Sequence, residues 1–303
     1  MKNFLSINDL SRDEALALLA DAERLKIQYR TNPELQLKYL AGQTLAMIFE
    51  KPSLRTRVSF DAAMRQCGGG AIYLSPNDIG LGTRETVADI ARVLSGMTEC
   101  IMARVFEHKT LEELAQWSKV PVINALCDIE HPCQALADLQ TLMEENKGLE
   151  GRKIAYVGDG NNVCHSLMLL CARVGVDFAV AAPEDYQPDQ RIVEMAQAEG
   201  NVVVTDDPRA AVQGADAVYT DVWTSMGQEE ESAKRLKVFP PYQINADLMS
   251  AANDDAILLH CLPAHRGEEV TAEVFESSQS RVFAQAENRL HAQKAVLLSL
   301  MVP

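Results

Sequence analysis

Short apolar runs alternate with amphipathic stretches along nearly the whole chain. Ser11-Arg-Asp-Glu14 has the form of a capping box, in which a serine hydroxyl and a glutamate carboxylate satisfy the first amides of a helix. Leu18, Ala22 and Leu25 follow at i, i+4 and i+7 and give that helix one packing face. After Gly42 the rhythm becomes regular. The runs 45–49, 71–74, 100–103 and 120–123 read as buried strands, separated by helical faces built on Phe60, Ala63, Met64 and Cys67, on Val87, Ile90, Leu94 and Met97, and on Leu111, Leu114 and Trp117. A longer helix carries Leu136, Leu139 and Met143 and stops at Lys147-Gly148. Beyond 148–152, which reads as a hinge, the pattern restarts with strands at 153–157, 177–181, 202–205, 217–220 and 256–259. Continuous apolar strands alternating with helices are the mark of parallel sheets covered on both faces. The expected fold is therefore α/β, with two doubly wound parallel-sheet domains over 1–147 and 148–303. A final helix at about 287–301 packs back on the first domain. The stretch 221–241 reads as one long irregular loop, of the kind that serves as a lid.

Composition narrows the function. The chain has 303 residues, with 28 Lys and Arg against 43 Asp and Glu, a net charge of −15. That balance argues against a nucleic-acid or anionic-membrane surface but leaves room for a local basic pocket. The start turns polar too soon for a signal peptide. The most apolar stretch, 167–182, is broken by Arg173 and Asp177 and is no membrane span. Seven scattered cysteines, an odd number, fit a reduced cytoplasmic protein better than a disulfide scaffold.

In open parallel sheets, ligands bind outside the carboxyl ends of the strands. The residues expected there in the first domain are Ser53-Leu54-Arg55-Thr56-Arg57 at a helix start, Arg104 ending a strand, and His131-Pro-Cys-Gln134. A helix start with two hydroxyls and a guanidinium suits a phosphate, although an N-cap serine with surface arginines would look the same. Arg104 at the end of a buried strand shifts the balance, because an unpaired charge there is costly. The second domain places Asp159 to Asn162, Asp221 and His260-Cys261 at the equivalent ends. One domain thus looks built for an anion and the other for a substrate carrying positive charge. Gly158-Asp-Gly160 lacks the third glycine of a dinucleotide fingerprint, since position 163 is valine, so a nicotinamide oxidoreductase is only a second reading. Cys127, His131 and Cys133 lack a second paired set, so no metal is expected.

Taken together, Ser53-Leu54-Arg55-Thr56-Arg57-Val-Ser-Phe60, His131-Pro-Cys-Gln134, Asp221 with Ser225-Met226-Gly227, and His260-Cys261-Leu262-Pro263 resemble, in order and spacing, the signatures of the aspartate/ornithine carbamoyltransferase family, and of its ornithine branch in particular. The resemblance spans essentially the whole chain. It implies that Ser53, Leu54, Arg55 and Thr56 hold carbamoyl phosphate, with Arg104, His131 and Gln134 completing that site and Arg289 and the Cys261-Leu262 pair closing it from the second domain. It implies that Asn162, Asp221, Ser225 and Met226 hold ornithine. Asp221, Cys261, Arg104 and His131 would carry the chemistry. Two positions depart from the family pattern: the 75–78 loop, where many relatives place a glutamine near the phosphate, and Thr86, where a serine is usual.

The implied reaction moves the carbamoyl group to the δ-amine of ornithine, giving citrulline and phosphate through a tetrahedral intermediate, with no covalent enzyme adduct. No cofactor is required. Two domains closing on two substrates would supply much of the rate by orientation. Putrescine or an N-acylated ornithine is the competing acceptor. The same resemblance implies a homotrimer, or a multiple of it.

Overall fold

The computed structural model describes residues 1–225, 227 and 229–302. The chain forms two compact units, Met1–Gln140 together with the segment from Asn288 onward, and Thr141–Glu287.

The first unit is built on a parallel sheet of four strands, β1 (Thr44–Phe49), β2 (Gly70–Leu74), β3 (Cys100–Arg104) and β4 (Val122–Leu126), in the order β2-β1-β3-β4. Helices Leu54–Gln66, Val87–Leu94 and His108–Trp117 make the crossovers. Ala46, Ile48, Ile101, Ala103 and Val122 pack against Ile90, Ala91, Leu111 and Leu114, which explains the unbroken apolar runs of these strands. The last strand begins two residues later than its sequence suggests. Ser118 Oγ accepts from Val120 N–H at 3.1 Å and donates to its carbonyl at 2.7 Å, and Pro121 has no N–H to give. Pairing starts at Val122 and continues through Asn124, whose side chain donates to the Leu5 carbonyl at 2.8 Å and so tolerates complete burial. Phe4 lies along the outer edge of this strand and gives it two backbone hydrogen bonds, at 2.9 and 2.8 Å.

The second unit holds a parallel sheet of five strands, β5 (Lys153–Val157), β6 (Asp177–Ala181), β7 (Val202–Thr205), β8 (Ala217–Thr220) and β9 (Ile257–His260), in the order β7-β6-β5-β8-β9. Strand order reverses at β5, whose neighbours are β6 and β8, and this switch point is where an open sheet offers a crevice. The helix Asn162–Val174 follows β5 and is buried along most of its length. The 221–241 stretch is less irregular than expected, because it contains the helix Ser232–Val238 and 3-10 turns at Glu229–Glu231 and Pro240–Tyr242. Phe239 anchors it, stacked on Trp223 at 5.7 Å and tilted against Tyr186 at 4.9 Å.

Two helices run through both units, Pro132–Asn146 and Val282–Met301. The second returns the chain to the first unit as expected. There it is tied down by two buried lysine contacts, Lys26 Nζ to Asn288 Oδ1 and Lys294 Nζ to Gln36 Oε1, each 2.7 Å. Burial pushes the Lys294 amine down to about 8.

Candidate active site

In the first unit the carboxyl ends of β1, β3 and β4 carry the anticipated groups. Ser53 caps the helix Leu54–Gln66, its hydroxyl accepting from Thr56 N–H at 3.3 Å. This places the amides and dipole of the first turn toward the strand ends. Phe49 pairs with Arg104, and a bulge between Ala103 and Arg104 re-aims the latter as it leaves the sheet. Arg104, His131, Gln134 and Arg289 are all buried, Arg55 half so, while Leu54 is exposed. Arg289 Nη2 donates to Thr56 Oγ1 at 2.9 Å. Arg289 therefore belongs with the first unit and not the second, because the final helix from Asn288 onward packs there.

Electrostatics shows that these groups converge. Burial first, and then the charges of Arg289, Arg104, Arg55 and Lys51, hold His131 well below the ordinary histidine range. The imidazole is neutral at pH 7 and sits among these cations. Gln134 donates to Asp138 at 2.8 Å, leaving its buried Oε1 without a partner among the described residues. Lys51 is the residue that sequence reading missed. Its ammonium lies 4.5 Å from the centre of the Phe106 ring and is depressed by burial and by Arg104. A lysine next to a proline in a turn carries no sequence signal that separates it from surface lysines. Cys127 lies 3.3 Å from His108 Nδ1, and Cys133 donates to the Asn124 carbonyl at 3.5 Å.

In the second unit β5, β8 and β9 deliver a second set. Gly158 takes φ 141°, and Gly160 passes so close to Pro188 that an added Cβ would lie 2.3 Å from its nitrogen. The turn then ends on Asn161, which caps the helix Asn162–Val174. Asn161 Nδ2 donates to Asp221 Oδ2 at 2.8 Å. The other oxygen of Asp221 accepts from Val222 N–H at 2.8 Å and from the Cys261 thiol at 2.9 Å. Asp221 and Cys261 are nearly fully buried, so the carboxylate is fixed by three donors in a low-dielectric setting. Asn162 and Ser225 are half-buried at the helix start and loop, and Met226 lies outside the described residues. Leu262 is held at φ 61° by its N–H, which donates to His260 Nδ1 at 2.8 Å.

A buried pair supports this second set. Arg235 donates to Asp159 Oδ2 and to the Trp223 carbonyl, both at 2.8 Å, and ties the base of the 221–231 segment to the β5 turn. Burial outweighs this guanidinium and raises Asp159 to about 6. Asp159 was visible as a strand-end acid; its partner 76 residues away was not.

Two α/β halves, one with an anion cradle and one with a fixed carboxylate and thiol, define a class of group-transfer enzyme, and the chain belongs to the aspartate/ornithine carbamoyltransferase family. Residues 2–144 match that family's "carbamoyl-P binding domain" and residues 150–300 its "Asp/Orn binding domain". Within the family it is similar to ornithine carbamoyltransferases. It is 54% identical over 305 residues to that of Carboxydothermus hydrogenoformans, covering 99% of this chain and 97% of the relative. The Bacillus subtilis protein is 53% identical, with 99% and 94% covered. The solved ornithine carbamoyltransferase of Pyrococcus furiosus superposes with a TM-score of 0.95 at 50% identity, covering 99% and 97% of the two chains.

Proposed function

We propose that this chain is an ornithine carbamoyltransferase, transferring the carbamoyl group of carbamoyl phosphate to the δ-amine of L-ornithine to give L-citrulline and phosphate. The observation that carries the reading is the convergence of Arg55, Arg104, Arg289 and Lys51 on a neutral His131 beside the helix start at Ser53. Carbamoyl phosphate is a dianion. Ser53, Leu54, Arg55 and Thr56 receive its phosphate through amides, hydroxyls and guanidinium, and Arg289 braces Thr56 from behind. Arg104 and His131 meet the carbamoyl oxygen and stabilise the oxyanion of the tetrahedral intermediate, while Gln134 presents its open Oε1 to the carbamoyl amide.

Asp221 pairs with the α-ammonium of ornithine, with Asn162, Ser225 and Met226 around the amino acid. The Cys261 thiol, with Leu262 beside it, completes the set around the reacting amine and carbamoyl group. The departing phosphate takes the proton of the attacking amine. The reading invokes neither metal nor organic cofactor, because guanidinium groups and backbone amides offset the leaving-group charge. Residues 1–147, joined by the final helix that carries Arg289, then act as the carbamoyl phosphate-binding part, and the rest of 148–303 as the ornithine-binding part.

Cytoplasmic residence belongs to the same reading. The seven cysteines form no disulfide with one another, and no helix among the described residues is long and apolar enough to cross a membrane. So does assembly as a homotrimer or a multiple of it, which is supported by exposed Leu54, Val58 and Ile72 on the edge strand β2 and the helix packed against it. The decisive experiment is a colorimetric citrulline assay with ornithine, putrescine and N-acetylornithine side by side. Ornithine is expected to be the preferred acceptor by kcat/KM, and a preference for either alternative would overturn the assignment.

A further inference from the structure

We propose that the turn following Pro263 is a binding site for a first-row divalent cation, with zinc the best fit, formed by His265, Glu268 and Glu269. His265 Nδ1 lies 3.9 Å from Glu268 Oε2 and 3.9 Å from Glu269 Oε2, and the three ligand atoms all fall within 4.8 Å of one another. These distances are too long for hydrogen bonds. They are slightly longer than the ~3.3 Å between ligands that bonds of about 2.0–2.1 Å impose around a tetrahedral zinc. Side-chain rotations that move the ligand atoms of the partly exposed His265 and Glu268 by roughly 1 Å would close the gap.

The buried glutamate supplies the independent reason for a ligand. Glu269 is wholly buried, and its two oxygens fare differently. Oε1 accepts from His265 N–H at 2.6 Å and lies 3.0 Å from His260 Nε2. Because His260 Nδ1 accepts from Leu262 N–H, the ring proton sits on Nε2 and is donated to Glu269. Oε2 is buried with no hydrogen-bond donor among the described residues, and its neighbour is the imidazole of His265 at 3.9 Å. A buried carboxylate oxygen is costly to leave unsatisfied, and a cation held also by His265 and Glu268 would satisfy it. One imidazole nitrogen and two carboxylate oxygens are a donor set suited to zinc, with water at the open position.

The rest of the turn is built to hold the ligands. Gln243 Nε2 donates to the carbonyls of Gly267 and Glu268 at 2.9 and 2.7 Å, and Ile244 N–H donates to that of Glu269 at 2.9 Å. Arg266, the cation of the turn, is engaged elsewhere, 2.6 Å from Glu276 and over the Phe275 ring. His260 links the proposed site to Leu262 and Cys261, so an ion there would brace the segment that carries the thiol, in the manner of an outer-shell histidine–carboxylate pair. A second trio, Asp221, His260 and Cys261, also gathers donor atoms, but it belongs to the ornithine set and contains a thiol.

That difference makes the test clean. Chelator-stripped full-length protein would be titrated with Co2+ and followed by visible absorption, then displaced with Zn2+. The expected result is one Co2+ per chain with weak ligand-field bands and no thiolate charge-transfer band. His265→Ala and Glu268→Gln should each weaken binding by about tenfold or more, while Cys261→Ser leaves it unchanged. Both altered side chains are partly exposed, so circular dichroism should show the fold intact. Binding that survives both substitutions would overturn the proposal. So would a thiolate band abolished by Cys261→Ser, or an absence of binding, which would leave His265 as an ion-pair partner only.

Discussion

His131 is neutral first because it is buried and then because its surroundings are crowded with positive charge, and in the proposed reading the same crowding receives a dianion. Removing one cation tests this directly. Arg55→Ala should lower kcat/KM for carbamoyl phosphate by about 10²–10³ or more, since it deletes a forked contact to a charge that grows on the leaving phosphate. The KM for ornithine should move little, and initial-rate kinetics with each substrate varied would separate the two. Cys261 poses a different question. Its thiol donates to Asp221, an arrangement that spends the thiol on positioning a carboxylate rather than on attack. Cys261→Ser keeps a donor at that place, so turnover should fall without vanishing. Mass spectrometry of wild-type protein quenched during turnover should find no carbamoyl adduct; an adduct on Cys261 would establish covalent catalysis.

At the level of elements, the order of strands and helices could be read from the chain because burial on both faces leaves a continuous apolar run, which the sequence displays openly. Strands β5 to β8 span the ranges expected from the sequence. The last strand of the first unit slipped because Asn124, a buried polar residue, cut its run short in the sequence, and only the Leu5 carbonyl makes that burial acceptable. The candidate site residues stand out in the sequence for a related reason: Arg104, His131 and Asp221 are expensive groups at the ends of buried segments. Lys51 and Arg235 were not, because their partners come from distant parts of the chain. Arg235 gives the element-scale prediction. It clamps the base of the 221–231 segment to the turn after β5 through a nearly fully buried ion pair with Asp159. Arg235→Met leaves that acid unpaired and should cost about 3–5 kcal/mol, measurable by chemical denaturation. The pH dependence follows from the direction of the Asp159 shift. Its folded-state value is raised to about 6, so the folded protein holds a proton there that the unfolded chain has lost at its ordinary value of 3.8. The group's contribution to stability is therefore present below the ordinary value and lost as the pH rises through about 6. The charged clamp is complete only above that pH. The ornithine KM should accordingly rise on acidification through pH 6 in the wild type. In Asp159→Asn, which cannot titrate, the rise from this source disappears. Dividing one KM by the other at each pH cancels the protonation of ornithine itself, and a ratio flat from pH 5 to 7 would refute the clamp.

For the whole molecule, the distribution of exposed apolar side chains is what a monomer leaves unexplained. A single exposed leucine means nothing. Leu54, Val58 and Ile72, however, are 74%, 56% and 49% exposed, and they lie on one helix and on the edge strand it packs against. An uncovered edge strand with apolar neighbours is an invitation to further association that proteins normally block. Here the opposite end of the same sheet is blocked, since Phe4 and its backbone hydrogen bonds cover β4, so the open edge at β2 stands out by contrast. Leu54 also belongs to the turn proposed to receive the phosphate, which would make assembly and catalysis neighbours on the same helix. The proposed trimer predicts a species of about three times 33.4 kDa, or a multiple of that, in sedimentation velocity. Val58→Glu places a charge in the proposed contact while leaving the buried face of the helix, Thr56, Ser59 and Phe60, untouched. It should shift the protein toward monomer with its circular dichroism unchanged. A wild-type protein that sediments as a monomer, or a Val58→Glu variant that assembles like the wild type, would remove the β2 edge from the account.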